Sequence, residues 1–297
     1  MHIARFDGNR LGVVDGQNLF DVSEVLSRVS PQSWPLAFGD PLIRALATLR
    51  SELERAKQSS ASRPISDLRF NSPVSWATKI MAAPANYRKH VEIDTLDPGV
   101  DQGVHRAAVI KLDRPVDTYG LFLKASSSLV GEAEGIILGY PDRRCDHEVE
   151  LAVIIGRTVK NVAPYEALDC VAGYSVGLDI TVRGAEDRSL RKSADSFAVL
   201  GPWLTTADSV SDPQNLRLWL DVNGERRQDS STAAMTVGIA ELISIASHAY
   251  TLYPGDILLT GTPEGVGPLA PGDIMSVGCE QIGVMTIDVR AAKTRST

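Results

Sequence analysis

The run EVELAVIIG, residues 148–156, constrains this chain more than any other segment. Side chains alternate across a strand, so Glu148 and Glu150 project to one face while Val149, Leu151, Val153 and Ile155 project to the other. Beyond the two acids the first face carries Ala152 and Ile154, so it is apolar as well. A strand apolar on both faces belongs inside a sheet that is covered on both sides. Its two carboxylates then stand about 6.5–7 Å apart along the strand, at the mouth of a buried element. Repulsion and desolvation both act against them there, and a cation between them removes the difficulty.

Around this strand the chain reads mostly as further strands: KIMAA (79–83), GLFLKA (120–125), AGYSVGLDITV (172–182), LRLWLDV (216–222), DILLTG (256–261) and GVMTIDVR (283–290). LRLWLDV ends in Asn223-Gly224, a strong hairpin signal, so antiparallel pairing is expected. Helical patterns are fewer, near 164–171, 184–192 and 238–249, which is not the βαβ alternation of a doubly wound sheet. Ahead of these, IARF, LGVV and LFDV are separated by Asp-Gly turns and read as a small meander. A helix is expected from Pro41 to Lys57, with Leu42, Ala45, Leu46, Leu49 and Leu53 on one face. QSSASRP at 58–64 reads as a linker. The expected organisation is α+β, predominantly β, with a small N-terminal α+β domain over 1–72 and a main domain over 73–297.

The chain's 30 basic and 37 acidic residues leave a net charge of −7, which argues against a nucleic-acid partner. No stretch approaches the roughly 18 apolar residues of a membrane span, and the N-terminus lacks the pattern of a secretory signal. Cys145, Cys170 and Cys279 are far apart and form no CxxC, so neither a disulfide framework nor a zinc cluster is suggested. A reducing cytoplasm fits best.

A third acid, Asp179, interrupts the apolar run AGYSVGLDITV. Three carboxylates with water in the remaining positions suit a hard octahedral ion such as Mg²⁺ or Mn²⁺. The alternative is salt-bridging to the nearby arginines Arg143, Arg144 and Arg157. His147 faces away from the glutamates and reads as structural. GYSVG (173–177) matches the nucleophile-elbow motif in letters, but that motif requires a turn into a helix, and LDITV continues as strand. TGTPEGVG (260–267) offers backbone N–H groups and the Thr262 hydroxyl for a carboxylate or enolate oxygen, or is a plain loop. In NYRKHVEID (86–94), His90 is a candidate general base, with Asp94 on the same helix face and Glu92 nearby, or a surface histidine. The stretch 92–118 reads as a loop, a candidate lid. Lys192, in RSLRKSADSF, stands to neutralise enolate charge or to form a solvated helix end.

Taken together, NYRKH, GLFLKASSSLVG, DHEVELAVIIG, GYSVGLDITVR, RKSADSFAVLGPW and LTGTPEGVGPLAPGD, in that order over about 79–290, resemble the fumarylacetoacetate hydrolase family. The resemblance implies a mixed β-roll or sandwich, assembled as a homodimer. It implies that Glu148, Glu150 and Asp179 hold Mg²⁺, with Mn²⁺ or Ca²⁺ as alternatives, and that Lys192 is the active-site lysine. Arg183 and Thr262 match substrate-side residues, Lys124 a further pocket residue, and His90 the catalytic histidine. Where hydrolytic members commonly carry a glutamate three residues after that histidine, this chain has Ile93, leaving Glu92 or Asp94 as its expected partner.

The expected activity is metal-dependent hydrolysis of a C–C bond in acylpyruvate-like 2,4-dioxo acids of the fumarylpyruvate type. The rival is an isomerase or decarboxylase of 2-hydroxy-dienedioates using the same metal site, which the residue at Ile93 favours. A third reading is a metabolite-binding protein without turnover. Retention of Lys192, Thr262, Arg183 and His90 together weighs against it.

Overall fold

The strand Val149–Ile155 is buried along its whole length and lies near the middle of a twelve-stranded sheet. The computed structural model describes residues 1–94 and 113–292, apart from the side chains of Val91, Ile93 and Asp94. In that sheet the order runs Ser62–Pro64, Asn18–Asp21, Arg10–Asp15, His2–Phe6, Ala198–Thr206, Val171–Asp179, Val149–Ile155, Ile257–Leu259, Ile80–Ala82 and Phe122–Lys124. Phe70–Asn71 and Leu129–Val130 pair alongside, with His2–Phe6 and Ala198–Thr206. The N-terminal meander therefore extends the same sheet, through His2 opposite Thr205 and Ile3 opposite Leu204.

The alternation read from the sequence separates two cores. Val149, Leu151, Val153 and Ile155 enter one, packed with Leu218, Leu220, Met275, Val277, Met285 and Ile287 of a second sheet. That sheet runs Glu225–Ser231, Arg217–Val222, Ile274–Cys279, Gly283–Ala291 and Ile136–Leu138. Ala152 and Ile154 enter the other core, against the helix Pro41–Ser59 through Leu42, Ile43, Leu46, Leu49 and Leu53. Each such aliphatic side chain contributes roughly 1.5–3 kcal/mol when fully buried. The result is a strand-dominated sandwich with a helix on the outer face of the large sheet. Asp40 starts that helix, accepting hydrogen bonds from Leu42 N at 2.9 Å and Ile43 N at 3.1 Å, with Pro41 at the first helical position.

The expected strands and helices are present, with some shifts. The hairpin at Asn223-Gly224 has φ of 52° and 82° at its two residues and pairs Val222 with Glu225, a turn that favours these residue types. The segment expected as a linker instead continues the helix to Ser59 and then forms the edge strand Ser62–Pro64 against Asn18–Phe20. An edge tolerates Pro64 because its missing N–H faces no neighbour. The helical patterns near 164–171 and 184–192 shorten to Pro164–Ala167, followed by a 3-10 turn, and to Arg188–Arg191.

Ala198–Thr206 was not expected as a central strand, because Gly201-Pro202 breaks its pattern. The register shows how the sheet accommodates it: Tyr174 faces Thr205 but Val176 faces Gly201, so an irregularity absorbs Pro202. Ser175 fills that irregularity, its hydroxyl 3.0 Å from Gly201 O and 2.9 Å from Trp203 O. The serine of GYSVG is thus a buried mid-strand donor, not an exposed nucleophile. Among the described residues no helix is long and apolar enough to cross a membrane.

Candidate active site

Antiparallel register assembles the acids. Val149 pairs with Leu178 and Glu150 with Gly177, and Asp179 N donates to Glu148 O at 2.9 Å, so Asp179 stands across from Glu148. The three carboxylates are buried, and one ligand oxygen from each lies within 4.8 Å of the others. Cations converge here too, but they are Lys192, Lys124 and Arg183, not the arginines Arg143, Arg144 and Arg157 that the sequence offered as partners. Lys192 Nζ donates to Glu148 at 2.8 Å, to Asp179 at 2.6 Å and to Thr181 Oγ1 at 2.7 Å. Lys124, only 2% exposed, pairs with the other oxygen of Asp179 and donates to Phe197 O at 2.9 Å. Arg183 bridges Asp146, at 2.7 Å, and Glu148, at 3.1 Å. Those three arginines are engaged elsewhere: Arg143 holds Glu186, Arg144 holds Asp146, and Arg157 donates to Asp169 O.

The charges are not balanced evenly. Burial pushes the Glu148 carboxyl up, but Lys192, Arg183 and His90 outweigh it and bring it down to about 2. Glu150 goes the other way: burial, then Asp179 and Glu148, hold it well above the usual carboxylate range, although it accepts a hydrogen bond from Gly261 N–H. Among the described residues no lysine or arginine is paired with Glu150, and the pull of Lys192 on it does not offset the burial and the two neighbouring acids. Three hard oxygen donors with one of them under-compensated fit a divalent cation.

The loop after Ile257–Leu259 is tied to this centre and to the His90 segment by Asn86. Its side-chain amide donates to Val237 O and to Thr260 O, both at 2.9 Å, and its oxygen accepts from Val237 N at 2.8 Å. Gly261 has φ +99°, and a Cβ there would stand 2.6 Å from Asn86 Cβ, so the position requires glycine. Next along the chain, Tyr87 is buried with no hydrogen-bond partner for its hydroxyl among the described residues. Burial, then Glu150, push its ionisation well above the ordinary value. An orphaned buried hydroxyl on the Glu150 side is a second sign of a group that belongs there.

The helix Arg88–Asp94 follows directly. His90 is half-buried, and its electrostatic effect reaches Glu148, while Glu92 is exposed. The Asp94 side chain and residues 95–112 of the expected lid lie outside the described residues. Thr262 is buried, its hydroxyl 2.9 Å from Gln228 Nε2. His147 turns to Gln228 Oε1 at 3.1 Å, away from the glutamates as expected.

Sequence reasoning missed Asp146, Asn86, Tyr87 and Gln228. The two acids of D-x-E-x-E were adjacent clues for Asp146. The amides carried no signal, since nothing in NYRKH or RRQDSS marks a buried hub.

Residues 79–290 match the family model described as Fumarylacetoacetate (FAA) hydrolase C-terminal. The chain is 47% identical over 291 residues to a maleylpyruvate hydrolase of Aquipseudomonas alcaligenes, covering 98% of this chain and 100% of that one. It is 35% identical over 235 residues to a human mitochondrial oxaloacetate tautomerase, covering 75% of this chain and 69% of that one. The crystal structure of maleylpyruvate hydrolase from Sphingobium sp. SYK-6, in complex with manganese(II) ion and pyruvate, superposes with a TM-score of 0.80 at 39% identity, covering 99% of this chain and 100% of that one. With its motifs, sheet and carboxylate cluster in agreement, the chain belongs to the fumarylacetoacetate hydrolase family.

Proposed function

We propose that this protein is a divalent-metal-dependent hydrolase that cleaves the C–C bond of acylpyruvate-like 2,4-dioxo acids, with maleylpyruvate the first substrate to test. The observation that carries the reading is the buried Glu148–Glu150–Asp179 cluster, with Lys192 seated on two of the acids. A divalent cation held by the three carboxylates would supply Lewis-acid polarisation of a 2-oxo acid.

The chain's own groups do the rest. His90 takes a proton from water, which adds to the distal carbonyl. The bond between that carbon and the adjacent methylene then breaks, its electron pair passing to the pyruvate fragment as an enolate. Lys192 offsets the developing negative charge, with Thr262 and Arg183 on the substrate side and Lys124 fixing Asp179. The proton on His90 returns to the methylene carbon, giving pyruvate and a free acid. Glu92 or Asp94 is the proposed partner of His90.

Mg²⁺ is the proposed ion, with Mn²⁺ or Ca²⁺ as alternatives, since oxygen donors suit all three. The proposed assembly is a homodimer, as the family implies. The proposed compartment is the cytoplasm, in keeping with three buried free cysteines. Choice of acyl group is proposed to rest with residues 92–118 and with the 1–72 unit.

The same site supports a second reading, proton transfer without water attack. Ile93 in place of a histidine-orienting acid, and the likeness to an oxaloacetate tautomerase, favour it. Mass spectrometry of the Mg²⁺-loaded protein with maleylpyruvate and acetylpyruvate separates the two. Pyruvate plus a free acid, lost on EDTA treatment, is the expected result. A single product of unchanged mass would transfer the assignment to an isomerase or tautomerase.

A further inference from the structure

The strand Glu225–Ser231 is one of the most charged in the chain, yet its Gln228 is only 1% exposed. It points inward from the second sheet and ends between the start of Val149–Ile155 and the 260–267 loop. Its Oε1 accepts from Val149 N and His147 Nδ1, each at 3.1 Å. Its Nε2 donates to Pro263 O and to Thr262 Oγ1, each at 2.9 Å. Each end of the amide therefore has two partners.

Two of those four partners have fixed polarity. A backbone N–H only donates and a backbone C=O only accepts, so Val149 and Pro263 together decide which end of the Gln228 amide is oxygen and which is nitrogen. Rotating the amide by 180° would set an N–H against the Val149 N–H and an oxygen against the Pro263 carbonyl. With the amide so fixed, Thr262 Oγ1 has to accept from Gln228, and its own proton is left to be given elsewhere.

We propose that Gln228 is a positioning residue that, by donating to one lone pair of the Thr262 hydroxyl, turns its proton toward the substrate side, so that this point of the site favours an acceptor oxygen of the substrate, a carboxylate or oxo oxygen. The inference rests on the functional reading above, in which Thr262 lies on the substrate side. It deepens that reading by naming what gives Thr262 its polarity. Because Val149 lies between Glu148 and Glu150, the same amide also holds the metal-carboxylate strand and the substrate loop in one register.

The test is calorimetric titration of oxalate, an acceptor-only analogue of the enolate product, into Mn²⁺-loaded protein, with KM and kcat measured in parallel. Thr262→Val is expected to weaken oxalate binding about tenfold and to raise KM more than it lowers kcat, while Thr262→Ser restores binding to within about threefold. Gln228→Met is expected to weaken oxalate in the wild-type background but to change it no further in the Thr262→Val background. Additive losses in the double variant would overturn the proposal, as would Thr262→Val binding oxalate like the wild type, an arm that does not depend on whether Gln228→Met folds. Failure of the wild-type protein to bind oxalate with Mn²⁺ would instead remove the functional reading and this inference with it.

Discussion

The carboxylate centre and the helix that carries His90, the two parts of the proposed site, are built on opposite terms. Glu150 and Asp179 stand on paired central strands between two cores, with Glu148 immediately before the first of them, and Lys192, Lys124 and Arg183 engage Glu148 and Asp179 through several buried contacts. The Arg88–Asp94 helix is one short element, held at its entry by the buried Asn86 amide, with His90 half-buried and Arg88, Lys89 and Glu92 exposed. Charges kept out of water need a scaffold with no freedom to relax, or the cost of burial is not recovered. A base that has to admit water and substrate needs access, and access means fewer contacts. On the proposed reading, the chain places binding on the sheet and proton transfer on the periphery.

The severest way to break this contrast is Glu150→Gln. Loss of Mn²⁺ binding is expected in calorimetry, with turnover down by about 10³-fold or more, since even outer-shell changes around a metal cost ~10–100-fold. Metal-free stability in urea should be unchanged or raised, because the amide is neutral, the state toward which burial and the neighbouring acids already push Glu150. Activity retained by a metal-free variant would end the metal assignment. His90→Asn probes the other side: turnover should fall on the order of 10²-fold while Mn²⁺ affinity stays within a few-fold of wild type. If metal binding collapsed as well, the two regions would not be separable.

A milder test uses pH. Because the Glu150 carboxyl is held above its ordinary value, the metal-free fold keeps a proton that the unfolded chain has already released. Its contribution to stability therefore falls as pH rises toward that raised value, and metal binding has to displace the proton. Mn²⁺ should raise Tm by a few degrees more at pH 8 than at pH 5.5. An equal shift at both would show that Glu150 is ionised throughout. Glu148, brought down to about 2, works in the opposite sense and protects the fold until the pH falls below ~4. The smallest expected effect is that of Ile93→Glu, a severalfold rise in hydrolytic rate at unchanged metal affinity, read by pyruvate release. No rise would remove Ile93 from the account of His90.

Much of this was legible in residue order. Period-two alternation located Val149–Ile155 and its two apolar faces, Asn223-Gly224 located a hairpin, and Leu42 to Leu53 traced a helix face. These signals are local: each follows from how one element turns its own side chains. The acids were visible for the same reason, because a charge inside an apolar run conflicts with its surroundings before any neighbour is known. Ala198–Thr206 was not legible, since its Gly-Pro pair is acceptable only opposite the irregularity that Ser175 fills.

The sequence by itself therefore determined the strand-rich class, the family and the identity of the three carboxylates. Tertiary structure alone decided that Asp179 lies across from Glu148, that Lys192 and Lys124 share Asp179, and that Asn86 and Gln228 are hubs. The reason is physical: an amide has no charge and no periodicity to betray it, and its meaning comes wholly from the donors and acceptors that distant segments bring to it.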